Sequence, residues 1–470
     1  MRILTRATAA AVTVGSMALS GVAVAAPGQL DPTFSGDGRV PIAGMSVASD
    51  VAIDGKGRVL VLGRVGDSAR VVRLTPKGAF DKSFGTNGVV TGALGTQVTV
   101  DSANRVYVSL ESNNGPARVV RLLTAGSADP SWGGKDGDPP GLAEVDAANG
   151  NPQIASDLAV DGNGRLVMTI SSSGADTDFL VARLDTDGDE DDTFDGNGVQ
   201  GTDFGLVDAA RAVAIGPNNM VVVAGRTEVA GEQRGAISVF TNTGADATAF
   251  TGDGFETFSN LPDFSDVAIG PRGSYLVNGA ADDTTLAAIK PSGQLDTRFS
   301  VDGRIDLPEV PFCLLCRSSV SYDAARARIY WSYPYVPGGQ TISRLKPNGT
   351  FDKTLTLRNP AGSLDGNSVA IDPRSGRLVG VAVSNSTAVV RFETWARCAG
   401  KVPTLVGGPG SNTLRGTPKS DVIVGGAGRD KLVGRAGKDQ LCGGSGRDWL
   451  IGGPGKDTLL GGPGVDRLIQ

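Results

Sequence analysis

Short alternations of apolar and polar residues run along most of the chain, and few stretches carry the 3.6-residue apolar period of an amphipathic helix. The fullest alternations share one shape. They are DVAIDGKGRVLVLGRV from Asp50, QVTVDSANRVYVSL from Gln97, DLAVDGNGRLVMTI from Asp157 and AVAIGPNNMVVVAGR from Ala212. DVAIGPRGSYLVNGA from Asp266, SVSYDAARARIYWSY from Ser319 and SVAIDPRSGRLVGVAV from Ser368 complete the set. Each predicts a strand, a tight Gly/Pro/Asn turn and a second strand, a hairpin signature. The turns open at Asp54, Asp101, Asp161, Gly216, Gly270, Asp323 and Asp372, a mean spacing of about 53 residues.

A third strand follows most hairpins, as in the ARVVRL segments ending at Leu74 and Leu122, FLVARL ending at Leu184 and AVVRF ending at Phe392. It runs on into a loop of the form G-x-L-D-x-T-F-x-G-x-G. The clearest copies are GQLDPTFSGDGRV from Gly28, GAFDKSFGTNGVV from Gly78 and GQLDTRFSVDGRI from Gly293. Trp132, Phe194, Phe250 and Leu355 stand at the aromatic position of weaker copies, and one aromatic per repeat is the mark of a structural anchor between blades. The first loop motif precedes the first hairpin, and the last third strand has no loop after it. The N-terminal piece therefore completes the final repeat and closes a ring, in which radial repetition of small antiparallel sheets protects their edges. The expected fold is all-β: a seven-bladed β-propeller, with six or eight blades the alternatives, followed by a C-terminal parallel β-roll.

These loop motifs resemble the delta-sixty repeat family over residues 28–392, with departures in the copies from Ser127, Asp189 and Ala245. The resemblance implies an extracellular or cell-surface propeller and no established activity.

From Gly407 the period changes to nine residues without insertion. The units are GGPGSNTLR, GTPKSDVIV, GGAGRDKLV, GRAGKDQLC, GGSGRDWLI, GGPGKDTLL and GGPGVDRLI. Their eighth positions (Leu414, Ile423, Leu432, Leu441, Leu450, Leu459, Leu468) are all aliphatic and form one narrow core ladder. Their sixth positions are Asn412, Asp421, Asp430, Asp439, Asp448, Asp457 and Asp466. Six Gly-rich residues make a turn with left-handed dihedrals and three make a short strand. Two units form one coil, so turns stacked on one side are eighteen residues apart. The pattern matches the repeats-in-toxin nonapeptide G-G-x-G-x-D-x-U-x. That resemblance implies calcium between stacked turns, held by carbonyl and carboxylate oxygens as suits a hard cation. The implied metal residues are Asp421, Asp430, Asp439, Asp448, Asp457 and Asp466, with Gly425, Gly434, Gly443, Gly452 and Gly461. The pairs are Asp421 with Asp439, Asp430 with Asp448, Asp439 with Asp457 and Asp448 with Asp466. The resemblance also implies a Cys398–Cys442 disulfide stapling the first coils.

One departure weakens the calcium expectation. Arg429, Lys438, Arg447 and Lys456 fill the fifth position, where Asn or Asp is usual in the family. Over residues 401–470 ten lysines and arginines face six aspartates, so the roll is cationic while the rest of the chain is acidic. A cation beside a calcium site opposes it by ~1 kcal/mol per unit charge at 4 Å in water. The sequence thus favours weak sites suited to an extracellular module.

Composition narrows the chemistry. Histidine is absent from all 470 residues, which excludes Ser-His-Asp and Cys-His nucleophiles and every His-ligated metal. Residues 1–25 read as a secretory signal, with Arg2 and Arg6 before an Ala/Val/Leu-rich run and Ala23-Val24-Ala25 as the cleavage pattern. Residues 26–395 form the propeller, 396–406 a linker or cap and 407–470 the roll. Cys313 and Cys316 read as a local structural bridge rather than a zinc or redox pair. The acidic stretch from Asp185 to Asp192 places Glu190 where a calcium loop of the EF-hand type needs Gly, so it reads as a solvated loop. The leading expectation is a secreted, non-enzymatic calcium-binding protein whose propeller takes an extracellular ligand, a polysaccharide or a surface protein. The alternative is a propeller hydrolase or lyase using channel carboxylates. Neither a nucleic-acid partner nor a membrane span in the mature chain is expected.

Overall fold

Alternation at period two lets one face of each strand pack on a neighbouring sheet, and here every hairpin of the sequence does so. The computed structural model describes residues 30–470 apart from 32, 67, 93–94, 111–114, 135–138, 148–152, 173–177, 206, 262, 281–283, 308–317, 335–339, 359–368, 373, 384–386, 393–397, 399–400, 402, 408–409 and 463. The signal-like residues 1–25 and the Cys313–Cys316 pair lie outside the described residues. Among those described, no helix is long and apolar enough to cross a membrane. The chain divides into two units, Pro27–Trp395 and Ala396–Gln470.

The first unit is a seven-bladed propeller of four-stranded antiparallel sheets. In the first blade the strands are Val47–Ile53, Val59–Val65, Ser68–Leu74 and Val89–Gly92, paired in that order. Five more blades repeat this order. The seventh takes Val369–Ile371, Leu378–Val383 and Thr387–Phe392 from the end of the unit and Arg39–Pro41 from its beginning. Arg39 pairs with Val390 and Pro41 with Ala388, which is the ring closure expected from the phase of the repeats.

Five of the seven hairpin turns carry an aspartate that builds them. The Oδ1 of Asp54 accepts from Lys56 N and Arg58 N, and Arg58 Nε donates to Oδ2 at 2.5 Å. Asp101 with Arg105 and Asp161 with Arg165 repeat the arrangement. Where Gly216 and Gly270 replace the aspartate, a short 3-10 turn opened by Pro217 or Pro271 supplies the bend instead.

The loop motif has an interior that the sequence pattern only half revealed. Phe34, Phe84, Trp132, Phe194, Phe250 and Phe299 are all buried, as structural anchors should be. Over four of these rings lies an arginine from the preceding third strand: Arg73 is 4.3 Å from the Phe84 centroid and Arg391 is 4.5 Å from that of Phe34, with Arg121 on Trp132 and Arg183 on Phe194. Each arginine donates to the loop aspartate and also crosses to a carbonyl of the next blade. Arg73 reaches Asp81 at 2.8 Å and Thr124 O at 2.6 Å; Arg183 reaches Asp191 at 2.7 Å and Asn242 O at 2.6 Å. Burial pushes the carboxyls of Asp31, Asp81, Asp129 and Asp191 up, but Ser or Thr hydrogen bonds and the arginine charge outweigh it and hold each below the usual carboxylate range.

The second unit is a parallel solenoid of about three turns. One sheet stacks Leu405–Val406, Val422–Gly428, Gln440–Gly446 and Thr458–Leu460; the other stacks Thr413–Arg415, Lys431–Val433, Trp449–Ile451 and Arg467–Ile469. Pairing is in register at eighteen residues, as in Leu432 with Leu450. Ile423, Leu432, Leu441 and Leu450 are fully buried between the sheets, while Leu468 at the last rung is 49% exposed. Cys398 and Cys442 form the expected disulfide, with Cα atoms 5.5 Å apart, and pack on Val424.

Candidate functional site

The aspartate ladder of the solenoid splits the work of each carboxylate. One oxygen accepts the main-chain N–H of the aspartate one coil earlier: Asp430 N donates to Asp448 Oδ1, and Asp439 N to Asp457 Oδ1, both at 2.8 Å. Asp421 N donates to Asp439 and Asp448 N to Asp466 in the same way. The other oxygen, Oδ2, is buried without a hydrogen-bond partner in Asp430, Asp439, Asp448 and Asp457. An unpaired buried carboxylate oxygen is costly, and a cation is the partner that would relieve it.

The first three of these oxygens lie beside main-chain carbonyls. A Cβ built on Gly425 would lie 2.6 Å from Asp430 Oδ2 and 2.5 Å from the carbonyl oxygen of Gly443; on Gly434 it would lie 2.5 Å from Asp439 Oδ2 and 2.7 Å from Gly452 O. The same crowding of Asp448 Oδ2 and Gly461 O occurs over Gly443, and Gly452 and Gly461 stand against Asp457 Oδ2 and Asp466 Oδ2. The first glycine of each unit thus keeps a small oxygen-lined cradle open, and the donors are hard oxygens as calcium requires. Among the described residues no three carboxylates or thiols converge, so the donor set is carboxylate plus carbonyl. Burial first, then the charges of Asp457 and Asp421, raises the Asp439 carboxyl; burial, then Asp430 and Asp466, raises that of Asp448.

Asp421 differs from the others. Its Oδ2 accepts from Thr417 N at 2.6 Å and Thr417 Oγ1 at 2.9 Å, and its Oδ1 accepts from Thr404 Oγ1 at 2.9 Å. Burial raises its carboxyl, but these bonds outweigh burial and lower it. Arg429, Lys438, Arg447 and Lys456 are exposed, and among the described residues none is ion-paired with the ladder.

The propeller has its own cluster. A cavity of about 250 Å³ is lined by the first strands around the ring, with Asp50, Gln97, Asp157, Arg211, Asp266 and Ser319 among its residues. Each aspartate sits just past a β-bulge and bridges two blades. Asp50 Oδ2 accepts from Val98 N, Asp157 Oδ2 from Val213 N and Asp266 Oδ2 from Val320 N, all at 2.8 Å, while Oδ1 accepts from the following residue of its own strand. Burial deep in the ring pushes Asp157 up to about 8, helped by the charges of Asp266 and Asp50, and Asp266 up to about 7. The alternating pattern at this position was present in the sequence as Asp50, Gln97, Asp157, Ala212, Asp266 and Ser319, yet only the closed ring brings it to one cavity.

In the acidic stretch two carboxylates are taken up by local hydrogen bonds. Asp185 Oδ1 accepts from the main-chain N–H of Asp187, Gly188 and Asp189, and Asp191 is bound to Arg183 and Thr193. Asp185 and Asp191 thus shape the turn.

The family model of the RTX calcium-binding nonapeptide repeat matches residues 406–441 and 443–469. No curated protein matches the chain. Among solved structures, the chain is similar to virginiamycin B lyase from Staphylococcus aureus (TM-score 0.48, 12% identity, 76% of this chain and 98% of that one). It is also similar to the Dos1 propeller (TM-score 0.43, 11% identity, 74% and 78%) and to a gluconolactonase from Xanthomonas campestris (TM-score 0.38, 14% identity, 79% and 98%).

Proposed function

We propose that this chain is an exported, non-enzymatic calcium-binding protein. Its solenoid is ordered by calcium outside the cell, and its propeller, of the delta-sixty type, binds an extracellular polysaccharide or surface protein. The observation that carries this reading is the row of buried Oδ2 oxygens on Asp430, Asp439, Asp448 and Asp457, the first three of them beside the carbonyls of Gly443, Gly452 and Gly461. Those residues would hold the ion, and the ion would supply the positive charge that the stacked carboxylates lack. The signal-like N-terminus and the disulfide agree with export. The test is calcium titration of the full secreted chain, followed by calorimetry and circular dichroism. A calcium-dependent rise in the solenoid's melting temperature supports the reading, and no response up to several millimolar overturns it.

One observation favours a second reading, a hydrolase or lyase. Asp157 and Asp266, raised to near neutrality in one cavity, lie in the range where a carboxyl group can act as acid or base. Against it, each already uses both oxygens to accept main-chain N–H groups, Oδ1 from its own strand and Oδ2 from the adjoining blade. Their geometry serves blade pairing, so binding remains our proposal for the propeller.

A further inference from the structure

The seven nonapeptides are not equivalent, and the differences fall in the first coil. In later units the second and fourth positions take left-handed backbone: Gly426, Gly444, Gly453 and Gly462 have φ between 99° and 108°, and even Arg435 has φ 79°. Gly428, Gly437, Gly446, Gly455 and Gly464 do the same at the fourth position. The second unit carries Thr417 and Lys419 there, and neither has positive φ. A β-branched residue is a poor occupant of the left-handed region, so this turn follows another path. The consequence is chemical. Thr417 directs its main-chain N–H and its hydroxyl at Asp421 Oδ2, where a metal would otherwise be the partner.

The first unit reaches the same end by a different route. Its sixth position is Asn412, whose amide nitrogen donates to Gly410 O and, at 3.1 Å, to Asp430 Oδ1. An amide N–H there engages one carbonyl and one carboxylate, the two donor types that calcium draws together in a turn. Asn412 N adds a second bond to Asp430 Oδ1 at 2.7 Å. The oxygens that remain buried and unpaired begin only with Asp430 Oδ2.

We infer that the first coil is a metal-independent cap, in which Asn412, Thr417 and Thr404 donate the hydrogen bonds that stand in for calcium, and that the solenoid holds three calcium sites. The sites pair Asp430 with Asp448, Asp439 with Asp457 and Asp448 with Asp466. This rests on the calcium reading above and removes from it the Asp421–Asp439 pair that the repeat spacing suggests. Terminal repeats of solenoids are commonly atypical because they must end the stack without a neighbour. Here the cap is also the part clamped by Cys398–Cys442. A pre-ordered first coil offers the next a template, so calcium acts on the C-terminal coils and ordering propagates away from the cap.

The test counts bound calcium by equilibrium dialysis on the full secreted chain and on variants, with hydrogen exchange alongside. Asp421→Asn is expected to leave the count unchanged, Asp457→Asn to lower it by one and Asp448→Asn by two. Thr417→Gly combined with Lys419→Gly restores the left-handed turn and is expected to raise the count by one, a gain that misfolding cannot imitate. In chelator, amides of residues 404–424 should stay protected while those of 443–469 exchange. Loss of a site in Asp421→Asn, or no gain in the glycine double variant, overturns the inference while leaving calcium binding intact. No uptake by the unsubstituted chain overturns both.

Discussion

Arg391 donates its Nε–H to Asp31 at 2.6 Å, joining residues 360 positions apart in sequence. The same guanidinium reaches Pro76 O and Thr33 Oγ1 and lies over the Phe34 ring. Arg377 adds a second cation to Asp31 at 3.0 Å. The ring is therefore closed by side chains as well as by the pairing of Arg39 with Val390.

Removing one partner should open this closure. Asp31 is fully buried, so Asp31→Asn leaves Arg391 and Arg377 without their anion, a change of about 3 kcal/mol for a broken buried pair. The Asp31 carboxyl is held below its unfolded value, so its contribution is present above about pH 4 and is lost as pH falls through the folded value. Urea unfolding should show the wild-type propeller losing stability on acidification. Asp31→Asn should be weaker at pH 7 and less sensitive to acid. Equal acid sensitivity in the two proteins would contradict this role.

The fourth blade has lost both members of the arginine–aspartate pair together. Val239 stands where five of the third strands carry arginine (Arg73, Arg121, Arg183, Arg344 and Arg391), and Ala247 where the loop carries aspartate, and both are buried. Ala247→Asp alone should destabilise, because it buries a charge with no partner. Adding Val239→Arg should recover part of that loss, since the pair can then reproduce the geometry of Arg183 and Asp191. A double-mutant cycle in urea measures the coupling; a coupling of zero would show that the pair does not transfer between blades.

Much of this architecture was legible in the sequence. Hairpins, blade count, ring closure and the eighteen-residue coil follow from periodicity, because period and register are local properties. The aromatic anchors were legible for the same reason. The arginines over Phe34, Phe84, Trp132 and Phe194 were visible inside ARVVRL and FLVARL, but their carbonyl partners lie on the next blade. The inter-blade role of Asp50, Asp157 and Asp266 was equally hidden, since each bonds a strand 48 to 56 residues away. In the solenoid the aspartates were readable, whereas the saturation of Asp421 depends on the backbone path that Thr417 imposes.

The channel aspartates give the propeller an opposite pH response at higher pH. Asp157 and Asp266 have folded values of about 8 and about 7, above the unfolded carboxylate range. Their burial is harmless while they are protonated and becomes costly as they ionise. Stability should therefore fall as pH rises from about 4 toward 8 and then level off. Asp157→Asn should flatten that slope while losing one inter-blade or intra-strand hydrogen bond, about 1 kcal/mol. Melting temperatures of both proteins from pH 5 to pH 9 decide it, and parallel curves would rule Asp157 out as the source.

The disulfide closes a 44-residue separation that spans the first coils. Loop-closure entropy for that length gives about 4 kcal/mol toward the folded solenoid. Cys442→Ser should lower the solenoid's unfolding midpoint and leave the propeller transition in place, because the two units unfold around separate cores. Two resolved calorimetric transitions, only one of them moving, is the expected record. If both move together, the solenoid does not unfold on its own.

Calcium and protons should compete for the solenoid. Without calcium, burial and neighbouring carboxylates raise the Asp439 and Asp448 carboxyls, so the folded solenoid holds protons that the unfolded chain has released. In chelator its stability should consequently fall as pH rises above about 4, through the folded values. Saturating calcium supplies the missing positive charge to the same carboxylates, and it does so only when they are ionised. The slope should then reverse, with stability rising over the same interval. Replacing exposed Arg447 and Lys456 by Asn should tighten calcium by removing like charge near the turns, and this gain should shrink at high salt. Calcium titrations at two pH values and two salt concentrations separate these effects. An affinity that does not respond to either substitution would mean that the fifth-position cations lie too far into solvent to act on the ion.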